Sequence, residues 1–208
     1  MICYKLSNKP IIYKDAISFM EQRVNEINTN QNSELIWILE HPHVYTMGTS
    51  SNNDDLINTK NIPVISTLRG GKTTYHGPGQ KIIYIMLDLK KRNKSIHIFR
   101  KQLERVLINT LNYFNLVVET RNNRVGLWIP SKSNKNHEKK LVAIGVRIRR
   151  WVTFHGLALN VFTNLAYFQG IIPCGLKNHG VTSMVEEGII VNDKELNNTL
   201  INNFQNIF

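Results

Sequence analysis

Hydrophobic and polar positions along this chain follow two periods, and each change of period marks an element. Over residues 15–28, Ile17, Met20, Val24 and Ile27 recur at helical spacing, with Asp15 placed to cap the start. Glu34 to Glu40 (ELIWILE) is apolar at nearly every position, which predicts a buried strand ended by His41-Pro42. Thr49 to Lys60 is polar and predicts a loop or a short solvated segment. A short strand, Pro63 to Thr67, leads into a glycine-rich segment, Arg69 to Gln80. Ile82 to Leu89 is again almost continuously apolar, the pattern of a central strand covered on both faces.

Ser95 is placed to cap a long helix in which Ile96, Phe99, Leu103, Val106, Leu107 and Leu111 repeat with the helical period. Strands are predicted at 116–119 and 124–129. Ser131 to Lys139 (SKSNKNHEK) is polar and charged, and reads as an exposed, mobile loop. Lys140 to Arg149 and Trp151 to Val161 are two strand-like runs joined near Arg150, which suggests a hairpin. A last helix fits 193–204, with Asp193 as cap and Leu196, Leu200 and Phe204 on its apolar side. Strands occur in adjacent pairs as well as between helices. The expected class is therefore α+β, a mixed central sheet with flanking helices. With no repeat and no linker, residues 1–208 are expected to form one domain.

Composition narrows the possible partners. The chain has 208 residues, 42% hydrophobic and 20% charged, as soluble globular proteins do. Its longest apolar stretch, Ile82 to Leu87, falls far short of the roughly 20 residues of a membrane span. Met1 to Pro10 lacks the apolar run and cleavage site of a secretory signal. A cytoplasmic protein with no membrane partner is expected. The formal charge of +11 speaks to partners rather than fold. The positive residues are not gathered into an arm, and no nucleic-acid-binding motif is present, so nucleic acid is not the expected partner. An acidic protein surface accounts for the charge as well, and compositional drift for part of it.

Four short segments, each punctuated by glycine and joined to a predicted strand, carry the candidate chemistry. RGGKTTYHGPGQ, Arg69 to Gln80, has four glycines around Arg69, Tyr75 and His76, either a loop that wraps something or a pair of tight turns. It matches neither phosphate-loop pattern. In KLVAIG, Lys140 opens an otherwise apolar strand; a surface lysine at a strand end is the plainer alternative. In HGLALN, His155 to Asn160, small residues leave room for a ligand, while His155 alone is more often a satisfied structural histidine. In IIPCG, Cys174 sits between proline and glycine, a turn that holds a thiol at a defined spot. Many cysteines are merely small buried apolar residues. Cys3 and Cys174 make no disulfide framework and no metal-type pair. A thiol beside an ammonium group is a nucleophile in waiting, because the cation favours the thiolate. A metal site on His41, His43, His76 and His155 lacks a carboxylate or cysteine to complete it, so no metal is expected.

These segments, in this order and spacing, together with EHPHVYTMG near the start, resemble the lipoyl(octanoyl) transferase family from about Glu34 to Val185. The resemblance implies the fold of the lipoate and biotin protein ligase catalytic domain. It implies an octanoyl-[acyl carrier protein]:protein N-octanoyltransferase, carrying out the first step of protein lipoylation. Donor would be octanoyl-acyl carrier protein. Acceptors would be the lipoyl domains of 2-oxoacid dehydrogenase complexes and the glycine cleavage H protein. By motif position, Cys174 would carry the acyl thioester and Lys140 would be its catalytic partner. Substrate-binding residues would be Arg69, Gly70, Gly71, Lys72, Thr73, Thr74, Tyr75, His76, Ala143, Ile144, Gly145, Gly156, Leu157 and Ala158. No cofactor is implied, since thioester exchange is nearly balanced in energy. His76 is expected to shape or hydrogen-bond the pocket rather than act as general base. Burying eight carbons at about 0.8 kcal/mol per methylene would supply most chain-length selectivity. The alternative is an ATP-dependent lipoate or biotin protein ligase of the same fold, which needs no cysteine.

Overall fold

A computed structural model describes residues 1–92, 94–131, 138–172 and 179–208 of the chain. Cys174 with its Pro-Cys-Gly turn, and residues 132–137 of the predicted loop, lie outside the described residues. In chain order the elements are β1 (Ile2–Leu6), α1 (Tyr13–Asn28), β2 (Glu34–Leu39), β3 (Val44–Met47), β4 (Val64–Ser66), β5 (Thr74–His76) and β6 (Gln80–Met86). They continue with α2 (Ile96–Tyr113), β7 (Leu127–Ile129), β8 (Lys139–Arg149), β9 (Val152–Asn160), β10 (Gly180–Val181) and α3 (Asp193–Ile207).

Among the described residues, seven strands form a mixed sheet in the order β1-β2-β6-β9-β8-β10, with β7 also paired to β8. Three more, β4-β3-β5, form a small second sheet. The class is α+β, as the mixture of paired strands and helices predicts. No helix among the described residues is long and apolar enough to cross a membrane.

The continuous apolar runs in β2 and β6 have a simple cause. Ile36, Ile38, Ile83 and Ile85 point to one face, where α2 and α3 cover them with Leu103, Leu107, Leu196 and Phe204. Leu35, Trp37, Leu39, Ile82, Tyr84 and Met86 point to the other, where α1 packs with Met20, Val24 and Ile27. Both faces are covered, so neither strand alternates with polar residues.

Local signals differ in how well they anticipate the ends. Ser95 caps α2 as expected, its hydroxyl accepting from the Ile98 N–H, although Ile96 itself is exposed. Asp15 does not cap α1; it lies in the first turn, where a carboxylate still meets the positive end of the helix. Asn192, not Asp193, caps α3, accepting from Lys194 and Glu195 N–H. Residues 116–119 form no strand, only an isolated bridge from Glu119 to Trp128. The β8–β9 hairpin is present, with Arg149 opposite Val152. Its two-residue turn places Arg150 at φ 51° and Trp151 at φ 69°, the left-handed pair a tight hairpin demands. Glu138, predicted exposed, is buried, because Arg121 and Arg124 both bind its carboxylate.

Candidate active site

The β8–β9 hairpin lays down a floor of small residues. Ala143 faces Ala158 across the ladder and Gly145 faces Gly156, while Ile82 and Tyr84 of β6 pair with Ala158 and Gly156 on the next strand. Above this floor pass the Arg69–Lys72 loop and the side chains of Thr74 and His76. Between floor and roof lies a cavity of about 220 Å³. Arg69, Gly70, Gly71, Lys72, Thr74, His76, Lys140, Ala143, Ile144, Gly145, Gly156, Leu157 and Ala158 all line it. Thr73 and Tyr75 do not. They belong to the opposite parity of the strand: the Thr73 hydroxyl donates to Asp55 at 3.3 Å, and Tyr75 packs among Tyr45, Tyr167 and Phe168.

Not every small residue on this floor is small for a ligand. A Cβ on Gly156 would come 1.9 Å from the Ile83 carbonyl oxygen, so the neighbouring strand, not the cavity, demands glycine there. A Cβ on Gly145 would meet Gly70 O at 3.4 Å and Arg69 Cδ at 3.6 Å, ordinary contact with the roof. An alanine at Gly145 would fit under the glycine loop without moving it.

Lys140 stands where β8 is held on both edges. Trp128 of β7 pairs with it on one side and Val181 of β10 on the other, and its carbonyl accepts from the Thr182 N–H at 3.0 Å. Its ammonium lies 5.0 Å from the centre of the Trp128 ring. Gly126, at φ 130°, makes room for it: a Cβ there would sit 2.8 Å from Lys140 Cε. The adjacent Lys139 is exposed and pairs with Glu187 at 3.5 Å. Alternation turns Lys140 and Lys139 to opposite sides, and the register shift between Leu127 and Trp128 lets Lys140 reach the same cavity as Ala143 and Gly145. Arg124 stacks on the same Trp128 ring at 4.6 Å, and its charge is offset by Glu138 at 2.5 Å. Hydrogen bonds from Arg121, with Arg124 adding to them, hold the Glu138 carboxyl down at about 2 against the opposing effect of burial.

A buried polar chain ties roof to floor. Arg69 donates to the Thr46 hydroxyl and carbonyl and to the carbonyls of Gly70 and Lys72, which fixes its own loop onto β3. Thr46 contacts His76 Nε2 at 3.2 Å, and His76 Nδ1 donates to Gln80 Oε1 at 2.7 Å. Gln80 in turn donates to Asn160 at 2.9 Å, and Asn160 to the Thr182 carbonyl at 2.9 Å. Burial, reinforced by His41 and Arg69, pushes the His76 pKa well below its usual value. With both ring nitrogens engaged, the geometry fits a shaping role for His76. His41 is likewise engaged: Nδ1 donates to the Ile11 carbonyl, so Nε2 accepts from the Tyr84 hydroxyl at 2.7 Å.

Several cavity residues carry no motif. Tyr13, Tyr84 and Asn123 to Val125 complete the walls, yet the tyrosines sit in ordinary apolar patterns and Asn123–Val125 in a plain polar turn. His155 departs from the satisfied structural histidine expected: it is 3% exposed, and neither ring nitrogen has a hydrogen-bond partner among the described residues.

Comparison with known proteins agrees with this geometry. The family model described as lipoyl protein ligase A/B catalytic domain matches residues 12–205. The chain is 48% identical over 204 residues to an octanoyltransferase of Wolbachia pipientis wMel, covering 98% of each chain. It is 44% identical over 209 residues to an octanoyltransferase of Wolbachia sp. subsp. Brugia malayi, covering 100% of each. Among solved structures, a bi-partite lipoate protein ligase from Thermoplasma acidophilum superposes with TM-score 0.71 at 15% identity, over 100% of this chain and 84% of that one, a likeness of fold. A floor of small residues under a glycine loop, a lysine aimed between them and matches along nearly the whole chain lead to one conclusion: the protein belongs to the lipoyl protein ligase A/B catalytic-domain family.

Proposed function

We propose that this protein is an octanoyltransferase of protein lipoylation, moving octanoyl from octanoyl-acyl carrier protein to the lysine of a lipoyl domain through a thioester on Cys174. Acceptors are the lipoyl domains of 2-oxoacid dehydrogenase complexes and the glycine cleavage H protein, and residues 1–208 act as one catalytic domain in the cytoplasm. Two relatives of near-equal length are octanoyltransferases. The observation that carries the mechanism is Lys140, held on both strand edges and aimed into a cavity with an apolar floor.

In the first step the Cys174 thiolate, favoured by the Lys140 ammonium, attacks the carrier's thioester carbon. A C–S bond to Cys174 forms, the C–S bond to the carrier breaks, and the carrier leaves as its thiol with the proton given up by the Lys140 ammonium, which is left neutral. In the second, the acceptor's amine attacks the acyl-cysteine. A C–N bond forms, the C–S bond breaks, and the proton from the attacking nitrogen passes to Lys140 as the Cys174 thiolate returns. One thioester replaces another and an amide replaces the second, so no nucleotide enters the balance. The +11 charge suits acidic carrier and acceptor domains, steering encounters in a salt-dependent way.

The test is transfer from octanoyl-acyl carrier protein to an isolated lipoyl domain without nucleotide. Octanoylated acceptor is expected. Transfer that appears only on adding ATP would identify a ligase instead.

A further inference from the structure

His155 carries two anomalies at one position. Its φ is 63°, a left-handed conformation inside a strand, and its buried imidazole has no hydrogen-bond partner among the described residues. Strained, unsatisfied residues persist where the surrounding structure holds them for a purpose. The ring stands in edge contact with Phe154, centroids 4.3 Å apart, and with Tyr84 at 6.4 Å.

The ring also stands between two cavities. One is the cavity of about 220 Å³ beside Lys140; the other, about 380 Å³, lies between α1 and residues 65–68 and is lined by Ile17, Leu68 and Phe154. Tyr13 and His155 line both. Val146, the ladder partner of His155, is six residues along β8 from Lys140. At a strand rise of about 3.3 Å that is at most roughly 20 Å, room enough along the floor for a medium-length acyl chain.

We propose that the His155 ring, with Tyr13 beside it, is the end wall of the acyl slot and excludes chains longer than octanoyl by closing the way into the second cavity. This rests on the transfer function proposed above. Histidine suits the place. Burial, with Arg69 and Arg147 adding to it, lowers its pKa to about 3, so the wall is uncharged where it meets a methyl end. Histidine also tolerates the left-handed backbone that branched apolar residues resist.

The test is a panel of hexanoyl, octanoyl, decanoyl, dodecanoyl and tetradecanoyl carrier proteins in the nucleotide-free assay. In His155→Gly, which suits the observed φ, the dodecanoyl-to-octanoyl ratio of kcat/KM should rise by about tenfold or more. His155→Asn, equally tolerant of that φ, should shift the same way. His155→Phe, which keeps the ring and removes its nitrogens, should retain the octanoyl preference. An octanoyl preference unchanged in both smaller variants overturns the wall, and so does a broadening in the phenylalanine variant equal to that of glycine. Equilibrium binding of free octanoate and dodecanoate reads the same shift without any transfer. Failure of the unmutated protein to transfer octanoyl would strike the proposed function; unshifted binding in the smaller variants would strike the wall alone.

Discussion

The two faces of the large sheet are built to different rules. On the face under α2 and α3, Leu103, Val106, Leu107, Leu111, Leu196, Leu200 and Phe204 meet Ile36, Ile83 and Leu159 in a closed apolar layer. On the opposite face α1 covers β2, β6 and part of β9, and beyond it a loop and a small sheet stand over β8 and the rest of β9. There the buried residues include Arg69, His76, Gln80, Lys140, His155 and Asn160. One face is closed by apolar packing throughout, and the other leaves a cavity of about 220 Å³ beside its apolar layer. Variants should therefore separate into those that cost stability and those that cost activity.

The largest separation should come at Lys140. Lys140→Met keeps the stem over Trp128 and removes the charge. Transfer is expected to fall about 10³-fold, within the span typical for a proton-transfer group, with the unfolding temperature little changed. A loss of folding comparable to a core variant, seen by circular dichroism, would break the contrast. On the other face, Leu107→Ala removes a side chain wholly enclosed between helix and sheet. It should lower the unfolding free energy by about 2–5 kcal/mol while kcat/KM, measured where the variant is folded, stays near the parent value.

Gly156→Ala sharpens the comparison because that residue belongs to both roles. The added methyl meets the Ile83 carbonyl rather than empty slot, so a stability cost of about 1–3 kcal/mol is expected. Denaturant titration measures it. Gly145→Ala, whose methyl meets only ordinary contacts, should be milder in stability and show its effect in octanoyl KM.

The polar face also carries a pH dependence. Burial depresses His41 to about 4, against the backbone bond to Ile11, and depresses His155 to about 3. Their ordinary value is 6.5. Above 6.5 both are neutral whether folded or not, and the contribution is intact. As pH falls from 6.5 through 4 towards 3 the unfolded chain takes up protons that the folded one refuses, so stability declines. Unfolding midpoints between pH 7 and pH 4 should fall, and replacing His41 by Gln should flatten part of that slope.

Much of the fold was legible because single periods dominate. The unbroken apolar runs of β2 and β6, the helical repeat of α2 with its Ser95 cap, and the hairpin at Arg150 all show in the residues themselves. Helix starts were less legible: an aspartate near an N-terminus serves equally as cap or first-turn charge, and at Asp15 and Asp193 the second holds. In the site, the glycine segment and the lysine of KLVAIG were visible, and strand parity then separates Thr74 and His76 from Thr73 and Tyr75. Tyr13 and Tyr84 were not visible, since a wall residue and a core residue look alike until the sheets are stacked. Nor does any local pattern reveal that the His155 ring lacks a hydrogen-bond partner among the described residues.

The central claim is that Cys174 is acylated in a site prepared by Lys140. It is tested most directly by intact mass spectrometry of the protein after brief exposure to octanoyl-acyl carrier protein without nucleotide or acceptor. The account predicts a mass gain of one octanoyl group, mapped to Cys174, absent in Cys174→Ser and much slowed in Lys140→Met. An unmodified protein that nonetheless octanoylates a lipoyl domain, or an adduct that persists in Cys174→Ser, would contradict it.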